Sequence, residues 1–236
     1  MNYSVQAFNA GTFWVPGPEV YWMEAWNQRE KMNLILYLLR GGGENVLINT
    51  GPPQDLTALN QQWLNFFGFP EAQIVRTEQQ LPQNILRSQG LSPEDAKICI
   101  SRRGWIEDFQ APFYHLHVPR DLRVPPDVNR YLQNEGWEKL RLLADEEEVL
   151  PGLRVFWAGV HHRSSLAVCV ETKSGTLIVT DSFFKYGNIE DGRYLGVMES
   201  MMEADATWGR IRKEGKLSAS IYDPEVFRRY PGGIIA

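Results

Sequence analysis

Short apolar runs bounded by turn-forming residues dominate the hydrophobic pattern of the chain. A near-continuous apolar run at 32–39 predicts a buried strand, and a second run at 45–49 predicts its partner. Gly41, Gly42 and Gly43 between the two runs favour a tight turn. Together these features predict a hairpin at the beginning of a β-sheet.

A different periodicity follows this hairpin. Pro52 and Pro53 cannot continue a β-ladder, and apolar residues from 55 to 67 recur at the spacing of an amphipathic helix. The aromatic, proline-punctuated stretch 1–30 is interpreted as a packed loop, and the acidic stretch 146–148 as a solvated turn. Further helices are expected at 81–88, 127–134, 198–213 and just after 223, and further strands at 97–101, 154–158 and 217–221.

The order of the predicted elements indicates the fold class. Two strands, two helices and a strand are followed by three strands, a helix, a strand and a helix. This order suits an α/β fold of the α+β kind, with two sheets enclosed between helices in four αββα layers. Because no repeat, linker or low-complexity segment divides residues 1–236, we expect a single domain.

Candidate chemistry is concentrated around a second predicted hairpin. Two β-branched runs, 166–172 and 176–180, flank a Lys-Ser-Gly turn. His161 and His162 precede the first run, and Asp181 follows the second. Antiparallel pairing would bring the imidazoles and the carboxylate to one rim of a sheet, which suits a metal or acid–base site. The same pattern is also typical of a loop with a histidine pair and an aspartate that caps a turn.

Composition and charge narrow the function classes. The chain of 236 residues is 43% hydrophobic and 22% charged, which is ordinary for a globular protein. Its formal charge of −5 favours neither nucleic acid nor an anionic membrane as partner. Since no apolar run approaches 18 residues and the beginning of the chain is polar, the expected location is the cytoplasm. Cys99 and Cys169 lie in apolar runs and are interpreted as small core residues.

A second histidine pair offers a weaker metal signal. His115 and His117 are two residues apart and would lie on one face of a strand. Such a pair can bind metal only with a further ligand, and an exposed strand face explains it equally well.

Four segments of the chain carry a family resemblance. They are NVLINTG (45–51), GLSPED (90–95), GVHHRSSLAVCVETKSGTLIVTDSFF (159–184) and IYDPEVFRRYPGGIIA (221–236). In this order they resemble the metallo-β-lactamase-fold hydrolases and especially their lactonase-like branch, although Asn49 replaces the aspartate of the family's Asp-Thr-Gly. The resemblance extends over nearly the whole chain, and it implies the αββα sandwich of that family.

The resemblance also implies roles for individual residues. His161 matches the third-motif histidine and Asp181 the metal-bridging aspartate, whereas Tyr222 stands where the last histidine ligand would be. The defining H-x-H-x-D-H motif is absent from the sequence. Either 101–107 occupies its place, or the metal loop is deleted and 97–105 is the next strand. We favour deletion, because Arg-Arg followed by Trp resembles the family's strand after the motif.

In one alignment, the ligand positions of the missing motif are occupied by Arg102, Gly104, Ile106 and Glu107.

The resemblance further implies a small-molecule hydrolase chemistry. Members of the family use two metal ions, commonly zinc, to activate water and polarise a carbonyl group. Here His161 and Asp181 are the candidate catalytic residues, and together with His162 and Glu107 they could hold one weakly bound zinc or other divalent ion. Tyr222 and Arg163 are the candidate substrate-pocket residues. The site is therefore expected to be degenerate.

Three functional hypotheses remain open. The first is a hydrolase of lactones or esters with a residual metal site, and the second is a metal-free descendant that binds a small ligand or a partner in the former cleft. The third is a metal-independent enzyme in which His161 or His162 is the general base and Asp181 orients it. Each expects a small-molecule ligand or substrate, or a partner in the cleft, and none expects nucleic acid or a membrane.

Overall fold

Two β-sheets pack face to face at the centre of the molecule, and helices cover their outer faces. This computed structural model describes residues 1–93, 96–110 and 125–236. The first sheet contains β1 (Ser4–Pro16), β2 (Arg29–Gly41) and β3 (Glu44–Ile48) in that order. The second contains, in spatial order, β10 (Leu217–Ser220), β9 (Gly175–Thr180), β8 (Leu166–Thr172), β7 (Leu153–Trp157) and β6 (Glu146–Leu150).

Neighbouring strands in both sheets are antiparallel except for β10, which is parallel to β9. A separate parallel pair joins β4 (Ile98–Ser101) to β5 (Leu140–Leu143). The helices are α1 (Gly17–Val20), α2 (Thr57–Phe67), α3 (Pro82–Ser88), α4 (Arg102–Gly104), α5 (Pro126–Gln133), α6 (Tyr186–Asp191), α7 (Met201–Glu214) and α8 (Glu225–Arg229), with a π-helix at Trp105–Gln110.

Strand β2 is apolar on both sides because both of its faces are covered. Its inner residues, such as Ile35 and Tyr37, belong to the main core that the two sheets share. On the opposite face, Leu36 packs with Ala10 and with Ile85 of α3. A strand buried on both faces has an almost continuous apolar sequence, which is what 32–39 shows.

Helix α7 covers the outer face of the second sheet. Ala204, Trp208 and Ile211 are buried, at the spacing of a single helix face. The helix begins after Ser200, whose side chain accepts a hydrogen bond from the Glu203 amide at 3.3 Å. The layers are therefore helix, sheet, sheet and helix, as the sequence predicts.

Hydrogen bonds also join the two sheets near the end of β10. The amides of Asn33 and Ile35 donate to the carbonyls of Tyr222 and Ile221 at 2.8 and 2.9 Å. The buried hydroxyl of Tyr37 donates to the carbonyl of Ser220 at 2.5 Å. These bonds fix the position of Tyr222 beside the second sheet.

Three of the sequence interpretations are wrong. Cys99 is exposed and is not a core residue, because it lies in the separate β4–β5 pair outside the main core. Much of the stretch 1–30 is not a loop but strand β1, which pairs with β2 along its length. A register shift between Asn9 and Thr12 interrupts the regular alternation of buried and exposed residues, so the sequence pattern concealed the strand. The stretch 146–148 belongs to edge strand β6, where glutamates protect the open edge from further pairing.

The predicted hairpins β2–β3 and β8–β9 and the predicted helix at 55–67 are confirmed. Among the described residues, no helix is both long enough and apolar enough to cross a bilayer.

We predict that Tyr37→Phe lowers the free energy of unfolding by about 1–3 kcal/mol, because the buried Ser220 carbonyl loses its phenolic donor. Urea denaturation measures the change. Tyr131→Phe, at an exposed tyrosine of α5, is the matched control and should alter stability by less than about 0.5 kcal/mol. Equal effects of the two substitutions would contradict a structural role for the Tyr37 hydroxyl.

Candidate functional site

A cleft of about 390 Å³ opens where β3, β4 and β8 meet the segments next to them. This volume lies within the range of small-molecule sites. The residues that line it are Asn49, Thr50, Cys99, Ile100, Ser101, Asp108, Phe109, His162, Ser164 and Leu166.

Asn49 shapes the first wall through an unusual backbone conformation. Its φ is +67°, a left-handed value that asparagine tolerates better than most side chains. Its amide nitrogen donates to the Ile35 carbonyl at 3.0 Å, and its side-chain oxygen accepts from the Thr50 amide at 2.8 Å. The chain therefore turns sharply after β3 and presents Thr50 to the cleft.

The second wall is the helical segment 101–110. Ser101 accepts a hydrogen bond from the Gly104 amide at 3.1 Å and so caps the first turn. Trp105 stacks on Phe109 with ring centroids 5.1 Å apart. Asp108, only 5% exposed, lies between them in the sequence and accepts from the Ser164 amide at 2.9 Å.

The loop that carries the two predicted histidines forms the third wall. The rings of His161 and His162 lie 3.7 Å apart between centroids. The His161 ring meets the edge of Phe184 at 4.7 Å, and its Nδ1 lies 3.3 Å from the Val197 carbonyl. Of the two histidines, His162 lines the cleft, whereas His161 packs behind it.

Asp181 is held by a serine that the sequence interpretation did not select. The hydroxyl of Ser165 donates to Asp181 Oδ2 at 2.8 Å and accepts from the His162 amide at 3.1 Å. Counting the β8–β9 register outward from Val168 opposite Val179 places Leu166 opposite Asp181, with Ser165 next to it. The register therefore contained a signal for this contact.

The other carboxylate oxygen of Asp181 makes ionisation of this side chain unfavourable. Asp181 Oδ1 is buried and has no hydrogen-bond partner among the described residues. Burial raises the pKa of Asp181 to about 6, which the Ser165 hydrogen bond opposes and the charge of Asp108 reinforces. The carboxyl group therefore titrates near pH 6 and is largely ionised at pH 8.

Tyr222 lies on the far side of the histidine pair. Its ring packs on Phe184 at 4.9 Å and on His161 at 6.1 Å. Burial, with a smaller contribution from the charge of Asp181, raises the pKa of Tyr222 well above its usual value. The buried phenol is therefore protonated across the neutral pH range.

Arg163 is directed away from the lining of the cleft. Its side chain is 12% exposed, and its Nε lies 3.2 Å from Glu107 Oε2. The two terminal nitrogens bind both oxygens of Glu203 at 2.6 and 3.1 Å. The structure thus places Arg163 and Glu107 together in one ion-pair network.

The donor set of the described residues does not fit a two-metal centre. Among residues 1–93, 96–110 and 125–236, no group of three or more His, Cys, Asp or Glu side chains is arranged to hold a metal ion. Glu107 contacts Arg163 and Asp181 contacts Ser165, while Asp181 Oδ1 has no hydrogen-bond partner in the described part of the chain. Metal binding by His161, His162, Glu107 or Asp181 stays a prediction.

The pair His115 and His117 and the last two residues of GLSPED lie outside the described residues.

Comparisons with known proteins find relatives by structure alone. No family model and no curated protein matches the chain. An N-acyl homoserine lactone hydrolase with N-hexanoyl-L-homoserine at its catalytic metal centre matches with a TM-score of 0.74 and 18% identity over 97% of both chains. A variant of AiiA from B. thuringiensis with bound N-decanoyl-L-homoserine gives 0.74 and 19%, also over 97% of both chains.

A third structure, the hydrolase AbOPH of the beta lactamase superfamily, matches with a TM-score of 0.65 and 11% identity over 99% of this chain and 89% of its own. These matches establish the fold: the chain is an α/β sandwich of the metallo-β-lactamase type. At such low identity, they establish the fold alone.

We predict that Asp181→Asn stabilises the chelator-treated protein at pH 8 by about 2–3 kcal/mol, because each pKa unit is worth about 1.4 kcal/mol. The folded-state pKa is raised, so ionisation penalises the native state above about pH 6, and the penalty is lost as pH falls from there toward 3.8, the ordinary pKa of an aspartate side chain. The free energies of unfolding of the two proteins, measured by urea titration, should thus converge near pH 4. An unchanged or less stable variant at pH 8 would contradict the buried charge.

A pair of glycine substitutions tests the contact between two walls of the cleft. A Cβ at Gly104 would lie 2.2 Å from Ser164 Cβ, so Gly104→Ala should cost about 1–3 kcal/mol through overpacking. Gly209 in α7 has open space, and Gly209→Ala should instead stabilise the protein by about 0.5–1 kcal/mol. Thermal unfolding measures both, and a neutral Gly104→Ala would show that the walls are not in contact.

Proposed function

We propose that this chain is a hydrolase-like protein of lactonase lineage that binds a small lactone or ester in the cleft and has a degenerate metal site. One observation carries the proposal. The cleft is open, while the carboxylates that could ligate metal beside it are engaged by Arg163 and Ser165. The similarity to lactone hydrolases with bound homoserine products supports the choice of ligand class.

The chemistry of the cleft suits a small neutral molecule. Thr50 and Ser164 carry hydroxyls that can donate to a carbonyl or ring oxygen. Phe109 and Leu166 provide apolar surface for an alkyl portion. A lactone or ester combines these two features, because it has a carbonyl acceptor and an aliphatic body.

The alternative is a metal-free pseudoenzyme that binds the ligand without turnover. Tyr222 favours it, because the resemblance places this residue where the family has its last histidine ligand. The packing of the His161 ring against Phe184 favours it as well. Under both versions, the described residues recognise the ligand and exclude water from its apolar part.

The decisive experiment combines metal analysis, binding and turnover on the purified full chain. N-hexanoyl-L-homoserine lactone is the probe, with binding followed by calorimetry and ring opening by NMR. We expect saturable binding with less than about a tenth of an equivalent of metal per chain, since a catalytic zinc is normally retained. Stoichiometric metal with chelator-sensitive ring opening would overturn the degenerate site. Failure to bind this lactone and simple aliphatic esters would overturn the ligand assignment.

If the probe binds without ring opening, the pseudoenzyme version is supported. Ring opening that survives chelation would instead support metal-independent catalysis.

We predict that Thr50→Trp weakens binding of the lactone probe at least about tenfold, because an indole at the exposed rim fills the cleft. Gln54→Trp is the matched control. It adds the same side chain at an exposed position in the same loop that does not line the cleft. Calorimetric affinities that fall equally in both variants would contradict ligand binding at this place.

A further inference from the structure

Two distant parts of the chain converge on the side chain of Arg163. Glu107 belongs to the π-helix in the second wall of the cleft, and Glu203 lies in the first turn of α7. The guanidinium binds Glu107 through Nε and Glu203 through both terminal nitrogens. A planar guanidinium with a fixed fork of donors suits such simultaneous binding of two carboxylates.

The orientation of Arg163 is fixed by further contacts. Its guanidinium lies 4.6 Å from the ring centroid of Trp157, and its Nη1 donates to the Gly159 carbonyl at 3.3 Å. The indole nitrogen of Trp157 donates in turn to the Arg163 carbonyl at 2.8 Å. Arg103, which pairs with Asp145, also lies over the Trp157 ring, at 4.2 Å. Both backbone and side chain of Arg163 are thus held.

The network lies directly behind two walls of the cleft. His162 and Ser164, the neighbours of Arg163 in the sequence, line the cleft, and so does Asp108, the neighbour of Glu107. The Ser164 amide donates to Asp108, and the same serine closely approaches Gly104. The ion pair between Arg163 and Glu107 therefore joins the two walls on the side away from the cleft lining.

We propose that Arg163 is a positioning residue: by joining Glu107 to Glu203, it holds two walls of the cleft at the spacing that binds the lactone or ester. This inference rests on the proposed function. A metal ion with ligands from several loops holds those loops together. In this chain, the Arg163 guanidinium and two carboxylates hold together the loop before β8, the segment 101–110 and the beginning of α7. Arg163 contacts the walls and not the ligand.

The test compares Arg163→Ala, Arg163→Lys, Glu107→Gln and Glu203→Gln in the full chain, at a temperature where each is folded. Affinity for N-hexanoyl-L-homoserine lactone is measured by calorimetry. Amide hydrogen exchange in peptides covering 101–110 reports the second wall without any ligand. If Arg163→Ala does not fold, the two near-isosteric Gln variants carry the test.

We expect Arg163→Ala to weaken the affinity for the probe at least about tenfold and to accelerate amide hydrogen exchange in 101–110 at least about tenfold. Each tenfold change corresponds to about 1.4 kcal/mol. Arg163→Lys should recover part of the affinity, because an ammonium keeps one charge but not the fork. The Gln substitutions should each weaken binding in the native background and have little further effect with Arg163→Ala. Additive effects would indicate independent surface charges and would overturn the proposal.

The matched control is the ion pair between Arg154 and Glu214, at the other end of α7. Arg154→Ala should leave both probe affinity and exchange in 101–110 within about twofold of the native values. The two readouts separate the failure of this inference from failure of the proposed function. If the native protein does not bind the probe, the ligand assignment fails. Hydrogen exchange alone then tests whether Arg163 holds the two walls together. Native-like affinity or native-like exchange in a folded Arg163→Ala protein overturns the inference.

Discussion

The antiparallel pairing of β8 with β9 is the constraint on which the candidate site depends. This pairing returns the chain to the rim where it began, so the loop before β8 and the residue after β9 must be neighbours. Ser165 and Asp181 meet there, and the histidines and Arg163 are held in the same loop. The adjacent cleft exists because the segment 101–110 packs against this loop from the other side.

Burial at this rim disfavours the charge of Asp181 but leaves the charge of Arg163 well compensated. Asp181 has one carboxylate oxygen with no hydrogen-bond partner among the residues that the structure describes, and its burial opposes ionisation. Arg163, in contrast, is surrounded by carboxylates and an aromatic face. A buried charge is tolerated when it is paired and hydrogen-bonded, and it is costly when it is not. The protonation of Asp181 is therefore sensitive to its surroundings, whereas the paired charge of Arg163 stabilises the structure around the site.

Local patterns in the sequence predicted most of the fold, but they did not predict the contacts that shape the site. The β2–β3 and β8–β9 hairpins and helix α2 follow from periodicity and turn residues, which act over a few positions. Strand β1 was missed because its register shift breaks the alternation on which such reasoning depends. Arg163 is 56 residues from Glu107 and 40 from Glu203, and no local signal encodes an ion pair across such separations. The proximity of the histidine-bearing loop to Asp181 could be predicted, because a hairpin makes it a local property.

The network around Arg163 has a consequence for the redesign of this site. Introducing histidines beside Glu107 would not by itself create a metal centre, because a permanently charged guanidinium already binds Glu107 and would repel a dication nearby. Conversely, removing Arg163 would leave Glu107 and Glu203 without the cation that joins them. A designed metal site at this place thus requires coordinated changes in three distant parts of the chain.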